Sequence, residues 1–292
     1  MNKAAEYRFN FMAFRKKAMV LSMVLLLVSL GSLFSRGLNL GIDFTGGNLV
    51  QLEFGSSVEV GEVRDVLAGV GQDKAVIQAY SDKGVIIRMK ADEEDARRDV
   101  LNALKAKYDS VQVLRFEKVG PVVGSQLRKE AFIALGLALV GILIYITVRF
   151  QFRFAVVSVL ALLHDSIITL GIFSLMGREI SVTFIAAILT IVGYSLNDTI
   201  VVLDRVRENW KHLRGWGIDG LFNVSVNQTL SRTINTSLTT FLPVLAFYIW
   251  GGPVLSNFSF ALMVGIVVGT YSSIYVASSI LDEWFTKSPV KH

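Results

Sequence analysis

Cysteine is absent from this 292-residue chain, so neither a disulfide nor a thiolate metal site can form, whatever its compartment. Histidine is nearly absent. His164, His212 and His292 stand far apart in sequence, which argues against a histidine-based metal cluster. Charge is scarce as well: 18% of residues are charged and 52% hydrophobic, with a mean hydropathy of +0.53, whereas a soluble domain is about one quarter charged. No G-x-x-x-x-G-K-[ST] loop occurs, so the chain does not take ATP through a P-loop. A nucleophile elbow and a His-Glu-x-x-His pair are missing too, and nothing predicts a cofactor, a metal ion or a nucleic-acid partner. If such a chain does work, the energy comes from a partner or from a membrane gradient, where one charge moved across 100 mV is worth about 2.3 kcal/mol.

What the chain has instead is long apolar runs. Six of them, near 18–35, 131–148, 154–176, 182–203, 231–250 and 256–281, predict six transmembrane helices. The first follows Arg15, Lys16 and Lys17, is longer than a signal-peptide core and lacks a small-x-small cleavage site, so it reads as an uncleaved anchor. Basic residues orient the rest. They gather in the N-terminal tail (Lys3, Arg8, Arg15), in the turn at Arg149 and Arg153, after the fourth span (Arg205, Arg207, Lys211, Arg214) and in the C-terminal tail (Lys287, Lys291). The loops 177–181 and 251–255 hold only Arg178, so both termini are expected on the cytoplasmic side.

Residues 36–130, with 14 Lys/Arg against 15 Asp/Glu, form the one sizeable polar region and are expected on the extracytoplasmic side. Here the hydrophobic period changes. "GNLVQLEF" (47–54) alternates like a strand and "VEVGEVRDVLAGVG" (58–71) has helical spacing. "AVIQAY" (75–80) and "GVIIRMK" (84–90) flank the turn "SDKG"; an amphipathic helix follows at 92–108 and a strand at 111–119. That order, β-α-β-β-α-β, predicts an α+β ferredoxin-like domain. The domain plan is therefore a tail and first helix (1–35), the polar domain (36–130), and helices two to six with a cytoplasmic loop at 205–228 (131–292). Within that loop, residues 207–222, with Trp210, Leu213, Trp216, Leu221 and Phe222, read as a short interfacial helix that anchors by its aromatics.

Ionisable residues inside the apolar runs stand out, because a carboxylate at mid-bilayer costs roughly 2.5–3.5 kcal/mol or more. Asp165 lies midway along the third run, beside His164; Asp198 lies in the inner half of the fourth, beside Asn197 and one turn after Tyr194. In the fifth, Thr229, Arg232, Thr236 and Thr240 fall at i, i+3 and i+4 and are expected to face the bundle interior. Arg232 can then approach Asp198 from the neighbouring helix. Pairing and desolvation act in opposite directions on that carboxyl, which is what a proton relay requires. Two plainer readings stay open: Arg232 as a basic anchor that snorkels to the interface, and His164–Asp165 as a satisfied polar pair that fixes packing. The sixth run carries Gly265, Gly269, Ser273 and Ala277 at four-residue spacing, a stripe for close helix packing with no chemistry implied.

Taken in order, "GIDFTGG" (41–47), "VGPVVG" (119–124), "HDSIITLG" (164–171), "GYSLNDTIVVLDRVREN" (193–209), "NQTLSRTINTSLTT" (227–240) and "GGPVLSNF" (251–258) resemble the SecF family of protein-export membrane proteins, half-sized relatives of the RND transporters. The resemblance spans nearly the whole chain. It implies a non-enzymatic, multi-pass protein of the bacterial cytoplasmic (inner) membrane that works with a separate SecD beside the SecYEG translocon, often with YajC. There it uses the proton-motive force to help draw unfolded preproteins across. It also implies proton-pathway roles for Asp198, in the motif with Asn197, and for Arg232; Asp165 matches a family position without a firm role. A non-conducting scaffold that stabilises a translocon, and an intramembrane aspartyl protease built on Asp165 and Asp198, are the alternatives, although the Tyr-Asp and Gly-x-Gly-Asp signatures of such proteases are missing.

Overall fold

The computed structural model describes residues 8–89, 94–212 and 217–287. Lys3, Leu213, Trp216, Arg214 and Lys291, singled out above, lie outside them. The chain divides into two compact units, residues 40–133, and residues 1–39 together with 134–292.

In the smaller unit, a short strand β1 (Asn39–Leu40) at the boundary and a helical turn α2 (Ile42–Thr45) lead into β2 (Gly47–Phe54). Then come α3 (Val60–Gly69), β3 (Val76–Ser81), β4 (Gly84–Met89), α4 (Glu94–Lys107) and β5 (Val111–Val119). Every one from β2 onward begins and ends within two residues of the run that predicts it. The four strands pair antiparallel in the order β3-β4-β2-β5, with Val50 opposite both Ile87 and Phe116. Alternation explains the core: Val50, Leu52 and Phe54 point one way from β2 and pack with Val63 and Leu67 of α3, Ile87 of β4, and Val100 and Leu104 of α4. The double glycine entering β2 is a backbone requirement. Gly46 and Gly47 have φ of +71° and +141°, and a Cβ on Gly47 would lie 2.5 Å from the Met89 carbonyl oxygen.

Tyr108, just after α4, packs edge-on against Phe54 and donates its hydroxyl to Glu62 Oε2 of α3 at 3.1 Å. Burial first, then the Glu62 carboxylate, pushes its phenol up to about 12. The sign follows directly. The protonated phenol is the stabilised form, so its contribution is whole below pH about 10 and disappears as pH rises toward 12. A spectrophotometric titration is expected to show a late-ionising tyrosine component, and Tyr108→Phe to reduce its amplitude by one tyrosine.

The larger unit is a helical bundle. A 3-10 turn (Met12–Phe14) opens α1 (Arg15–Arg36); α5 (Pro121–Arg149), α6 (Phe152–Met176), a short strand β6 (Glu179–Ile180), α7 (Val182–His212) and α8 (Gly217–Trp250) follow. The chain closes with α9 (Gly252–Tyr271), a π-helical stretch (Ser272–Ala277) and α10 (Ser278–Lys287), stacked end to end. Among the described residues five helices are long and apolar enough to cross a membrane: Met12–Arg36, Pro121–Arg149, Phe152–Met176, Val182–Trp210 and Leu255–Lys287. The expected span at 231–250 lies within α8, whose 34 residues reach about 51 Å. Its Ser, Thr and Asn content leaves α8 less apolar than the other five.

Among the described residues no separate helix occupies 207–222. Instead α7 runs on to His212 and α8 starts at Gly217, so Leu221 and Phe222 belong to the first turns of α8. There they join a core with Phe154, Val157, Leu203, Val206, Leu281 and Phe285, while Trp210 stacks on Phe285 at 4.6 Å. Leu221 and Phe222 are therefore core and not interfacial anchors, while Trp210 packs against that core partly buried.

Helix α1 shows the polarity expected of a helix in lipid. Its inward face carries Ala18, Ser22, Ser29 and Ser32, and its exposed face Val20, Leu21, Met23, Val24 and Leu27. Small residues let it approach α6 so closely that a Cβ on Gly171 would lie 2.1 Å from Ser29 Cβ and 2.5 Å from Ser29 Cα. Even Gly171→Ala is therefore expected to push α1 away and lower the thermal midpoint of the detergent-solubilised chain, at a cost of about 1–3 kcal/mol; an unchanged midpoint would contradict this packing.

Both ends of α8 are fastened. At its start, Asn227 accepts from the Arg8 and Phe9 backbone N–H groups at 3.0 and 2.9 Å, and Asn223 accepts from Met12 N–H at 3.0 Å. Arg15 of α1 donates there to Asp219, and at 2.5 Å to Asp282 of α10. At its far end, Arg178 donates to Tyr248 Oη at 3.0 Å and to Asn257 Oδ1 at 3.1 Å, with its guanidinium 4.0 Å from the Phe260 ring centre. What lies between these fastenings is the polar middle of the bundle.

Candidate functional site

Asp165 and Asp198 are 1% and 2% exposed, and their surroundings differ. Asp165 is saturated. Ser195 of α7 donates to its Oδ2 at 2.6 Å, Ser272 of the π-helical stretch donates to the same oxygen at 2.8 Å, and His164 Nδ1 lies 2.9 Å from Oδ1. One carboxylate thus joins α6, α7 and the last span. Ser272 opens the π-helical stretch and keeps the α-helical phase of α9, its backbone N–H bonded to the Val268 carbonyl. Asp198, one turn after Ser195 on α7, has one side-chain hydrogen-bond partner among the described residues, the Ser237 hydroxyl of α8 at 3.4 Å. That hydroxyl lies much closer, 2.6 Å, to Thr270 Oγ1 of α9.

The residues singled out from sequence fall into two sets. Asp165 and Asp198 both lie in the buried polar middle. Asn197 and Arg232 do not: both are exposed, and among the described residues no ion pair joins Arg232 to Asp198. The inward face of α8 is displaced by one residue from the expected stripe and runs through Thr229, Thr233 and Ser237. Hydroxyls fit the tight contact with α7 and α9; a guanidinium on a long stem does not. Along the last span, a Cβ on Gly265 would lie 2.3 Å from Ile191 of α7 and one on Gly269 3.0 Å from Ser195, while Ser273 and Ala277 are fully buried.

Ser195, Ser237, Thr270 and Ser272 were not singled out from sequence. Each sits within three residues of one that was, but serine and threonine are common along these helices, and only tertiary contact separates the three that meet a carboxylate, and Thr270 that meets one of those three, from the rest. Among the described residues no three of His, Cys, Asp and Glu converge as metal ligands would. The site is therefore two carboxylates and hydroxyls. Such a site can hold or release a proton at a carboxyl oxygen and redistribute hydrogen bonds among three helices.

Comparison with known proteins gives a consistent answer. Residues 99–287 match the family described as "Protein export membrane protein SecD/SecF, C-terminal", and residues 31–58 match the "SecD/SecF GG Motif". A relative named protein translocase subunit SecF, from Desulfurispirillum indicum, is 47% identical over 289 residues, covering 95% of this chain and 92% of the relative. Its counterpart in Pseudomonas aeruginosa is 43% identical over 275 residues, 93% and 90% of the two chains. The protein translocase subunit SecDF of Thermus thermophilus is 45% identical over 286 residues, 95% of this chain but 38% of that longer one. A crystal structure of that translocon-associated membrane protein superposes with a TM-score of 0.89 at 43% identity, over 96% of this chain and 39% of it. On two family matches and relatives aligned nearly end to end, the chain belongs to the SecD/SecF family of protein-export membrane proteins, among its SecF subunits.

Proposed function

We propose that this chain is the SecF-type partner of a separate SecD, and that the pair uses the proton-motive force to drive or complete preprotein translocation beside SecYEG, with YajC as an accessory. The accessory role in Sec translocation follows from the relatives, which are named translocase subunits. The fused SecDF supports SecD as the partner, since this chain corresponds to 38% of it. In this reading α8 is the sixth crossing, both termini lie in the cytoplasm of a bacterium, and residues 36–130 form a ferredoxin-like domain outside the inner membrane that meets emerging polypeptide.

The observation that carries the proposal is the unequal provision for the two buried carboxylates. Asp165 has three donors and is an anchored acceptor beside the path; Asp198 has one long hydroxyl contact and is the group provided for a change of charge. Protonation from the outside and release inward would alternate two local hydrogen-bond arrangements, with Arg232 supplying positive charge from the exposed side of α8. The family pattern adds Asn197 to this path. A non-conducting scaffold and a protease are the readings to beat. Reconstituting the chain with its partner in vesicles carrying an internal pH dye tests them: an imposed gradient is expected to produce proton flux that rises when preprotein is being translocated. Flux equal to that of empty vesicles would leave the scaffold.

A further inference from the structure

The polar middle contains one more arrangement, a hydroxyl pair with a single hydrogen bond to give. Thr270 Oγ1 donates to the Ile266 carbonyl at 2.7 Å. Its only hydrogen is thereby committed, so in the 2.6 Å contact between the two hydroxyls Ser237 is the donor and Thr270 the acceptor. That leaves Ser237 facing Asp198 Oδ2, at 3.4 Å, with a lone pair. A lone pair suits a protonated carboxyl, which can donate to it; an ionised carboxylate demands a hydrogen. Rotation about one Ser237 torsion would supply that hydrogen, and the Ser237–Thr270 bond between α8 and α9 would be given up.

We infer that Ser237 is a two-position hydroxyl that reports the charge of Asp198 to the α8–α9 contact. With Asp198 neutral, Ser237 donates to Thr270 and ties α8 to α9; with Asp198 ionised, it donates to the carboxylate and frees Thr270. Ser237 and Thr270 are positioning residues in this scheme. The inference rests on the charge cycle proposed for Asp198 and adds the element that responds to it. The other titratable groups around Asp198 are Tyr194 one turn earlier on α7, Asp165 and His164 on α6, Arg232 on α8, and Tyr271 at the end of α9. Of these, the buried Tyr194 hydroxyl also interacts with Ser237; it takes no part in the Ser237–Thr270 contact.

The two hydroxyls compete, so removing one or the other shifts Asp198 in opposite directions. Ser237→Ala takes a donor from the ionised form and is expected to raise the pH at which Asp198 is half protonated by about one unit. Thr270→Val removes the competing acceptor, leaves Ser237 to the carboxylate, and is expected to lower that pH by roughly half a unit. The measurement is the infrared carbonyl-stretch band of the protonated carboxyl, titrated in the full chain reconstituted with its partner and assigned by its loss in Asp198→Asn. Thr270→Ser, which restores the acceptor, is expected to return the parent midpoint and controls for folding. If a band assigned to Asp198 titrates but the two variants move it the same way, or not at all, the two-position hydroxyl is wrong and the charge cycle stands. If no such band titrates in the parent, both are overturned together.

Discussion

Asp198→Asn is expected to reduce gradient-dependent export to the level seen when the gradient is collapsed, with the protein still in the membrane and still bound to its partner. This substitution changes charge and leaves packing nearly intact. An asparagine has the size and shape of the aspartate and can still accept from Ser237, so the structural loss is held to about 1 kcal/mol. What it cannot do is alternate between neutral and ionised states. The outcome is to be read as translocation of a preprotein in inverted membrane vesicles, with and without an uncoupler. Parent membranes are expected to lose the gradient-stimulated fraction on uncoupling, and mutant membranes to have none to lose. A mutant that remains uncoupler-sensitive would remove Asp198 from the path. Because Asp198 is 2% exposed, a mutant that fails to accumulate would instead mean that the carboxylate is needed for packing, and the co-purified partner distinguishes that case.

The strands and helices of residues 40–133 were legible from sequence because a half-buried sheet imposes a period of two that few other structures share. The membrane helices were legible as apolar runs for a different reason: length and hydropathy suffice. Neither signal reaches the interior of the bundle. In α1 the inward face is Ser22, Ser29 and Ser32, so apolar periodicity points outward and a reader used to soluble helices would bury the wrong side. In α8 the sequence pattern leaves the buried face open by one residue, because Thr229, Arg232, Thr236 and Thr240 fit a stripe as well as Thr229, Thr233 and Ser237 do. Helical phase is set by neighbours, and the neighbours here are the hydroxyls of Thr270 and the carboxyl of Asp198. The carboxylates themselves stood out, since an acid within an apolar run is conspicuous. Their inequality did not, because partners such as Ser195 and Ser272 come from helices 30 and 107 residues away from Asp165.

Asp165→Ala is expected to be the most destabilising single change in the bundle, costing about 3–5 kcal/mol. Three donors from three different segments end on this one side chain, and alanine would leave Ser195 and His164 without that acceptor, while Ser272 would fall back on the Gly269 carbonyl at 3.1 Å. A domain of this kind has about 5–15 kcal/mol of stability in all, so the loss should appear as a much lower thermal midpoint in detergent and a smaller yield. The single removals Ser195→Ala and Ser272→Ala each delete one donor while leaving the acceptor satisfied by the others, and each is expected to cost about 1 kcal/mol. Asp165→Asn falls between them, because its amide oxygen accepts but its NH2 confronts donors. That ranking, Ala far below Asn and Asn below either serine variant, is what an anchoring carboxylate produces. If Asp165→Ala were as stable as the parent yet abolished gradient-driven export as Asp198→Asn does, the assignment would reverse, and Asp165 would be a proton carrier instead of the point where α6, α7 and the last span are tied.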